Sequence, residues 1–582
     1  MNNKVLGIDL GTTNTVCAVM EGGEPTMIQD EDLNINIPSV VSFDDEQNKI
    51  VGRAAINQAV NAPGRTVSSV KRYMGRRDHT FNVGFDEFKP EEISSMILRR
   101  IKNIATEHIG EEINDAVITV PAYFTDKQRK ATRRAGEIAG FNVRKIINEP
   151  TAAAMAYGID KNQNQKILVA DLGGGTFDVT ILDLGKGLYD VEATDGVRHL
   201  GGDDWDKAIV DHVAEQFEEQ NSINLLNQPD AKERLFQEAE KAKKELTTRH
   251  KATIDIPFIT TNSDKPLHLK HEITRETFEK ITTDLRRKLE NPINDSLDRA
   301  NIRKREISNV ILVGGATKMP QIRRKIRNTL GMEPLTNIST NEVVATGAAI
   351  QGGIISGEKD DVVLLDVTPQ TLGIEIKGGL FEEIIPKNTT IPTKRKKLYT
   401  TSVDNQKTVE INVYQGEHDI AKKNEKLGEF VLRGIPNMEA GEPRITVEFE
   451  IDADGIVTVK TKEAQSDRSQ SIRIDRENRI GEEDIESMKL KSEQYEEAAL
   501  SKKERINITR NADRQIVQAK KILARRDDMD ASKALEIEKR KEKLDAKLSN
   551  ENATSSEVRR ATIELENIVG PYTENTEDKQ TA

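Results

Sequence analysis

A short motif occurs twice in the first third of the chain. An apolar run leads into Asp-Leu-Gly and then into further glycine and threonine at residues 6–13, and the pattern returns at residues 169–176. An apolar run that ends at glycine predicts a buried strand entering a tight turn. Glycine lets backbone N–H groups approach a phosphate closely, and threonine adds hydroxyl donors. Because Asp9 and Asp171 hold the same place in the two copies, we predict two similar halves that close on one nucleotide.

Length and charge exclude several classes of protein. With 582 residues the chain is too long for one core, so we expect three or four domains. The formal net charge of −12 argues against nucleic acid as the main partner. No apolar run approaches the roughly 18 residues of a membrane span, and the first strand follows the N-terminus too closely for a secretory signal. We therefore expect a cytoplasmic protein with no nucleic-acid partner and no membrane attachment.

The chain has one cysteine, Cys17, just past the first glycine turn. A single cysteine excludes an internal disulfide framework and is typical of a reducing compartment. On a strand that returns from a buried turn, a buried and inert thiol is favoured over a redox role.

The pattern of apolar and polar residues changes twice along the chain. Strand and helix patterns alternate up to about residue 360, which predicts an α/β architecture. Apolar residues then alternate with polar ones to about residue 475, as in an antiparallel β-domain with one buried face. Asp454-Gly455 is a strong hairpin signal within it. From residue 482 to 569 there is no proline or glycine, and sparse apolar residues at helical spacing predict a charged helical bundle.

Two charged residues in the first region are candidates for phosphoryl chemistry. Such chemistry needs positive charge on the phosphate oxygens and an oriented attacking oxygen. Lys71 could contact a γ-phosphate, although composition alone would make it a solvated surface lysine. Glu149 could orient a water molecule, or could simply stabilise the start of the helix that follows.

The apolar quartet Val362, Val363, Leu364 and Leu365 stands between two aspartates. It could be an ordinary edge strand. It could also be a linker that docks on a neighbouring domain, since an apolar run facing solvent is costly unless it binds something.

Taken together, these segments resemble the heat shock protein 70 chaperone family in its prokaryotic (DnaK) type. The resemblance covers roughly residues 4–475. The matching segments are GIDLGTTN (7–14), VPAYF (120–124), INEPTAAA (147–154), DLGGGTFD (171–178), VGGAT (313–317), DVVLLDVTP (361–369) and NTTIPT (388–393).

The resemblance implies a multidomain fold: an α/β actin-like ATPase domain of two lobes, an antiparallel β-sandwich for peptide, and an α-helical lid. The implied domains are an ATPase domain at 1–359, a linker at 360–366, the sandwich at 367–476, the lid at 477–570 and a disordered tail at 571–582. The implied cofactors are ATP or ADP, Mg²⁺ and a potassium ion. The implied partners are apolar segments of unfolded polypeptides, a J-domain co-chaperone and a nucleotide exchange factor of the GrpE type.

The resemblance also assigns roles to residues. It implies that Asp9 and Asp171 hold magnesium through waters, that Lys71 contacts the γ-phosphate, that Glu149 acts on the attacking water, and that Thr176 and Asp178 complete the catalytic set. Asp178 is implied near the monovalent cation. The implied nucleotide contacts are Gly11, Thr12, Thr13, Asn14, Gly173, Gly174, Gly175, Thr176, Glu240, Lys243, Thr247, Gly314, Gly315, Ala316 and Lys318.

Further residues are implied in peptide binding and in signalling between domains. Pro121 and Arg129 match positions that relay the nucleotide state to the linker quartet. The implied peptide groove consists of Ile374, Lys377, Tyr399, Ser402, Val409 and Ile411.

The chain departs from the family pattern at several points. It is shorter after Arg77 by about one supersecondary unit than many bacterial members. Thr247 replaces a usual serine and keeps the hydroxyl, while Asn341 stands where an aspartate is usual near the adenine. Lys377 and Ser402 replace an apolar arch over the peptide, although a lysine stem can still pack there.

The expected function is that of an ATP-dependent chaperone in which hydrolysis switches the peptide site from open to closed. Two alternatives stay open at this point. A metabolite kinase of the same two-lobed fold would leave residues 367–582 without a task. A nucleotide-binding scaffold or filament protein would need no catalytic lysine or glutamate.

Overall fold

The computed structural model describes residues 4–44, 48–59, 62–76, 78–83, 86–157, 164–185, 188–262, 265–335, 339–359, 363–453, 455–463, 469–473, 511–523, 531–549 and 555–573. The chain forms two compact units, Met1–Ser492 and Glu493–Ala582. In the part of the chain described, no helix is long and apolar enough to cross a membrane. The cytoplasmic location stays a prediction.

The strands are β1 Val5–Leu10, β2 Asn14–Glu21, β3 Glu24–Met27, β4 Ile37–Pro38, β5 Val41–Phe43, β6 Lys49–Val51, β7 Thr66–Val67, β8 Phe81–Val83, β9 Asp86–Phe88, β10 Asp115–Val120, β11 Asn142–Asn148, β12 Gln165–Leu172, β13 Phe177–Gly185, β14 Leu188–Val197, β15 Lys251–Asn262, β16 Lys265–Thr274, β17 Asn309–Val313, β18 Val363–Val367, β19 Leu372–Ile376, β20 Leu380–Ile385, β21 Thr390–Ile391, β22 Thr393–Tyr399, β23 Thr408–Gln415, β24 Glu425–Arg433, β25 Ile445–Ile451, β26 Val457–Glu463 and β27 Ser469–Arg473.

The helices of the first unit are α1 Arg53–Ala59, α2 Pro90–Ile109, α3 Asp126–Ile138, α4 Glu149–Ala156, α5 Gly202–Asn221, α6 Pro229–Thr248, α7 Arg275–Ile281, α8 Thr283–Arg287, α9 Glu290–Arg299, α10 Pro320–Leu330 and α11 Val343–Ser356. Those of the second unit are α12 (511–523), α13 Ala531–Leu548 and α14 Ser555–Thr573.

Two mixed sheets carry the repeated motif. The first has the order β11-β10-β1-β2-β3, with β4 also paired to β2, and the second has the order β17-β12-β13-β14-β18-β21. In each sheet the strand that ends in the Asp turn lies between a parallel neighbour and the antiparallel strand that follows the turn. The prediction of two similar halves is therefore confirmed at the level of strand order and direction.

Close packing fixes the two sheets to their helices. A Cβ atom at Gly7 would lie 2.1 Å from the backbone nitrogen of Ala349 on α11, and one at Gly347 would lie 1.7 Å from the carbonyl oxygen of Ala152 on α4. Glycine is required at both places because backbone meets backbone there. These contacts pack α11 directly against both β1 and α4.

The described strands from β19 to β27, apart from β21, form two four-stranded antiparallel sheets, β20-β19-β23-β24 and β22-β25-β26-β27. Alternate residues of both sheets share one apolar core, which includes Ile374 and Phe430 from the first and Phe449 and Val459 from the second. The predicted hairpin is confirmed, because Ile451 pairs with Val457 across a turn in which Gly455 has a φ of 79°.

The second unit is helical over its described residues, as predicted. Apolar side chains from α12, α13 and α14 form one core that includes Ile516, Ile537 and Leu544. The predicted start of a disordered tail at residue 571 is wrong, because α14 runs to Thr573. Proline is compatible with helical φ and costs one backbone hydrogen bond, so Pro571 does not end the helix. Residues 574–582 lie outside the described residues.

Candidate functional site

The two glycine turns meet each other at the ends of β1 and β12. A Cβ atom at Gly174 would lie 2.2 Å from Oγ1 of Thr13, and one at Gly175 would lie 3.0 Å from Oγ1 of Thr12. The glycines of the second turn thus leave room for the threonines of the first. The turns line one wall of a cavity of about 400 Å³ between the two sheets.

A buried ion pair lies at the bottom of this cavity. Lys71 Nζ donates to Glu149 Oε1 at 2.6 Å, and both side chains are about nine-tenths buried. Lys71 lies on a 3-10 turn over Val70–Tyr73, and Glu149 is the first residue of α4. Burial acts to lower the pKa of Lys71, but Glu149 and Asp9 outweigh it, so the pKa is raised and the lysine stays charged. A fixed positive charge here suits a phosphate.

Three further carboxyl groups surround the ion pair. Burial and the Glu149 carboxylate raise the pKa of Asp9 to about 7, against lowering by Lys71 and a hydrogen bond from Thr119. The same two causes raise the pKa of Asp178 to about 7. Burial, Glu149 and the facing Asp178 raise the pKa of Asp171 well above its usual range. Crowded carboxylates of this kind are stabilised by a bound cation.

The donor set fits magnesium held largely by water. Among the residues described, no group of three or more His, Cys, Asp or Glu side chains is arranged to hold a metal ion. Mg²⁺ keeps several waters and is commonly bound by one or two carboxylates plus phosphate oxygens. Asp9 and Asp171 at the floor of the cavity meet that requirement.

The far end of the cavity is lined by α6 and by the turn after β17. Glu240, Lys243 and Thr247 lie one helical turn apart on α6, so all three face the cavity. Lys243 Nζ donates to Asp206 at 2.6 Å and to the carbonyl of Gly202 at 3.1 Å. On the other side lie Gly314, Gly315, Ala316 and Lys318, together with Asn341. Gly314 has a φ of 81°, which favours glycine.

Most predicted nucleotide residues therefore line one cavity. The exceptions are Gly175, which contacts the rim through Arg72 and Thr12, and Asp178, which lies behind the cavity beside Tyr123. Sequence reasoning missed the turn at Gly201 and Gly202. The Gly202 N–H donates to the carbonyl of Gly173 at 2.9 Å, so this turn supports the second Asp loop. Two glycines immediately before a helix were the available signal.

The linker quartet extends the second sheet. Strand β18 pairs in parallel with β14, with Leu188, Tyr189 and Asp190 opposite Val363, Leu364 and Leu365. On its other side β18 pairs with β21 of the following domain. Of the two interpretations left open by the sequence, the edge strand is wrong, because β18 has a partner strand on each side, and docking on the first region is what the pairing with β14 supports. Val362 lies outside the described residues.

A polar chain connects the linker to the first sheet. Asn148, the last residue of β11 and the neighbour of Glu149, donates to the carboxylate of Asp366 on β18. Arg129 Nη2 donates to Asn148 Oδ1 at 2.6 Å and to the carbonyl of Ala122 at 3.2 Å, next to Pro121. The predicted relay residues thus lie between the catalytic candidates and the linker.

The β-domain also contacts the first region directly. The Val457 N–H donates to Oδ1 of Asp126 on α3 at 3.1 Å, and Gln415 Oε1 accepts from the Asp126 N–H at 3.4 Å. Nearby, Lys387 Nζ lies 3.0 Å from Asp195 on β14. Several polar contacts therefore join the two domains in this conformation.

A sequence model of the family described as Hsp70 protein matches residues 5–86 and 78–578. The chain belongs to the Hsp70 family. Two similar relatives are the proteins called Chaperone protein DnaK from Halobacterium salinarum strains ATCC 29341 / DSM 671 / R1 and ATCC 700922 / JCM 11081 / NRC-1. Each is 51% identical over 512 residues, which cover 88% of this chain and 81% of the relative. This Hsp70 is an ATP-dependent protein-folding chaperone and an ATPase that acts on polypeptides.

The residues predicted for this Hsp70's peptide groove differ in how far they are exposed. Ile374 and Ile411 are buried in the core of the β-domain, and Tyr399 and Val409 pack against that core while partly exposed. Lys377 and Ser402 are exposed at the ends of β19 and β22. Two apolar side chains at the surface of a core, flanked by exposed polar residues, are compatible with a groove.

Proposed function

We propose that the cavity between the two sheets binds ATP with its γ-phosphate at the ion pair of Lys71 and Glu149. The observation that carries this proposal is that pair, held nine-tenths buried where the two glycine turns meet. Lys71 neutralises charge that develops on the phosphate oxygens. Glu149 orients the attacking water and accepts its proton. Thr12, Thr13, Thr176 and the backbone N–H groups of the glycine turns hold the phosphates in line.

We assign the carboxylates to two cations. Asp9 and Asp171 would hold Mg²⁺ through water molecules, and Asp178 would lie near K⁺. When bound, the cations supply positive charge to the phosphate oxygens. The raised pKa values of Asp9 and Asp178, both about 7, support this assignment, because they mark carboxyl groups crowded enough to favour a cation.

The adenosine would lie between α6 and the turn after β17. Glu240, Lys243 and Thr247 face Gly314, Gly315, Ala316 and Lys318 across the cavity. Asn341 lies beside Gly315 and offers an amide where the family usually has a carboxylate. An amide can both donate and accept hydrogen bonds, so it remains able to contact adenine.

We propose further that pairing of β18 with β14 couples this site to a peptide groove in the β-domain. The chain of contacts from Glu149 through Asn148 to Asp366 supports a coupling route of three residues. An extended apolar peptide would lie along Tyr399 and Val409, above the buried Ile374 and Ile411, with Lys377 and Ser402 over it. Residues 477–570 would act as the lid that the family resemblance implies. Each ligand must then change the affinity for the other by the same factor.

We further propose a J-domain co-chaperone and an exchange factor of the GrpE type as partners, because the family resemblance implies both.

The assignment of Lys71 and Glu149 is tested by separating binding from hydrolysis. Calorimetry should show that Glu149→Gln still binds ATP, while rapid-quench measurement shows that single-turnover hydrolysis is lost. Glu192→Gln serves as the matched control, because Glu192 lies on β14 and pairs with Lys166 away from the cavity. Normal hydrolysis in Glu149→Gln would overturn the assignment.

A further inference from the structure

A second cavity lies directly behind the site of the γ-phosphate. It has a volume of about 190 Å³, several times the ~30 Å³ that a water molecule occupies in the liquid. Thr12, Lys71 and Thr176 line both this rear cavity and the nucleotide cavity, so the two cavities adjoin at these side chains.

The rear cavity carries more basic than acidic side chains. Lys71, Arg72, Arg76, Arg198 and His199 line it, against two acids. Arg72 is already neutralised by Asp203 at 3.4 Å and Asp204 at 3.1 Å, and Lys71 by Glu149. Arg76 is exposed and Arg198 is partly exposed, so both are more open to solvent than Lys71. Cationic walls of this kind attract an oxyanion.

One wall of the rear cavity comes from the other domain. Glu425, the first residue of β24, lies 3.8 Å from Arg198 and 3.7 Å from Lys127 on α3. The side chains of Arg198 and Glu425 are 38% and 28% exposed, which places this pair at the mouth of the cavity. The β-domain thus sets a carboxylate against the cation at the mouth.

We propose that the rear cavity is the exit route for the phosphate produced by hydrolysis, and that Glu425 closes its mouth while the β-domain is docked. The inference rests on the proposed position of the γ-phosphate beside Lys71. ADP still fills the front cavity after hydrolysis, so the phosphate leaves toward Thr176 and Arg198. Glu425 opposes that passage by occupying Arg198 and by repelling a second negative charge. Undocking of the β-domain removes the carboxylate and frees the exit.

The test follows hydrolysis and phosphate release separately in a single turnover of the full-length chain. Acid quench with labelled ATP gives the rate of hydrolysis, and a fluorescent phosphate-binding protein gives the rate at which inorganic phosphate appears. We expect a lag between the two in the parent protein. In Glu425→Gln, release should become about threefold faster relative to hydrolysis, the size expected from loss of one partly exposed ion pair. Glu429→Gln, an exposed acid on the same strand, should keep the parent lag.

A second variant examines the route independently of docking. Arg76→Gln removes a cation from the cavity without touching the β-domain contact, and we expect it to slow release about threefold while hydrolysis keeps its rate. Equal acceleration of hydrolysis and release in Glu425→Gln would show that Glu425 acts only through docking and would overturn the inference. Absence of any lag in the parent would overturn it too. Absence of hydrolysis itself would instead contradict the proposed function.

Discussion

In the first sheet, β1 lies between parallel β10 and antiparallel β2; in the second, β12 lies between parallel β17 and antiparallel β13. The sheets differ at the edge beyond the hairpin. The first ends at the short strand β3, whereas the second continues through β14 to the linker strand β18 and to β21 of the β-domain. The two similar halves thus differ: both line the cavity between the sheets, and one also carries the connection to the β-domain.

The surroundings of the two aspartates differ in the same way. Asp9 accepts from Thr119 on the neighbouring strand at 3.3 Å. Asp171 instead faces a second carboxyl group, Asp178, across the β12–β13 pair. The second turn therefore has the greater crowding of charge, and it lies next to the rear cavity. We infer that the attacking water lies on the side of the second turn and faces Glu149.

The largest effect should come from a substitution of Glu149, whose ion pair with Lys71 lies where the two glycine turns meet. Glu149→Gln keeps the shape of the side chain and removes its charge, so we expect single-turnover hydrolysis to fall by about 10²-fold or more. Rapid quench with labelled ATP measures this. A loss smaller than about fivefold would mean that Glu149 is only the start of a helix, the alternative that local sequence allowed.

The threonines of the two turns should differ if the attacking water lies on the second side. Thr176→Val should lower hydrolysis about tenfold, because it removes a hydroxyl that lines both cavities and hydrogen-bonds Asp178. Thr13→Val should cost about twofold, since Thr13 contacts only the phosphate turn. Equal losses in the same quench assay would show that the two halves contribute alike.

Strand β18 belongs to the second sheet and has no counterpart in the first, so variants of it should separate the two halves. Leu364→Asp combined with Leu365→Asp should abolish the stimulation of ATPase activity by peptide and keep basal turnover within about twofold, since charge on β18 disfavours its pairing with β14. Steady-state turnover with and without an apolar peptide measures both rates. The matched control is Leu398→Asp on β22, where the side chain is 59% exposed. If stimulation survives, β18 is not the coupling element.

The smallest effect concerns the first sheet alone. Burial raises the pKa of Cys17 on β2 to about 12, so the native protein should resist thiol reagents at pH 8 and react only when unfolded. The free energy of unfolding should therefore decrease as the pH rises. Between about pH 9 and 12 the unfolded thiol ionises and the folded thiol does not, so the contribution of Cys17 to stability declines there by at most about 1.4 kcal/mol per pH unit.

Chemical unfolding of Cys17→Ala and the parent at pH 8 and pH 10 measures that change as a shrinking difference between them. Rapid labelling of native Cys17 would place the thiol near the surface and contradict the inert role.

Features that depend on residues adjacent in the chain could be predicted from the sequence. The Asp turns are predictable because strand, glycine and threonine are neighbours in the chain. The position of the nucleotide residues on α6 and after β17 came from the family resemblance, since nothing local marks Glu240 or Lys318.

Other features depend on contacts between distant segments. The quartet at 362–365 could be recognised as apolar, but its partner β14 lies far away in the sequence, so neither the pairing nor its direction could be predicted. The same holds for Asp126, which reads as a helix cap and also accepts from Val457 of the β-domain. The end of α14 was placed too early because proline signals a break and the helix tolerates one lost hydrogen bond.

We propose that β18 couples the nucleotide site to the peptide groove. The affinity of the full-length chain for a fluorescent apolar peptide, measured by anisotropy with ATP and with ADP, tests this coupling. We expect binding at least about tenfold weaker with ATP, and no such difference in the double linker variant. Equal affinity with the two nucleotides in the parent protein would show that the two sites are not coupled.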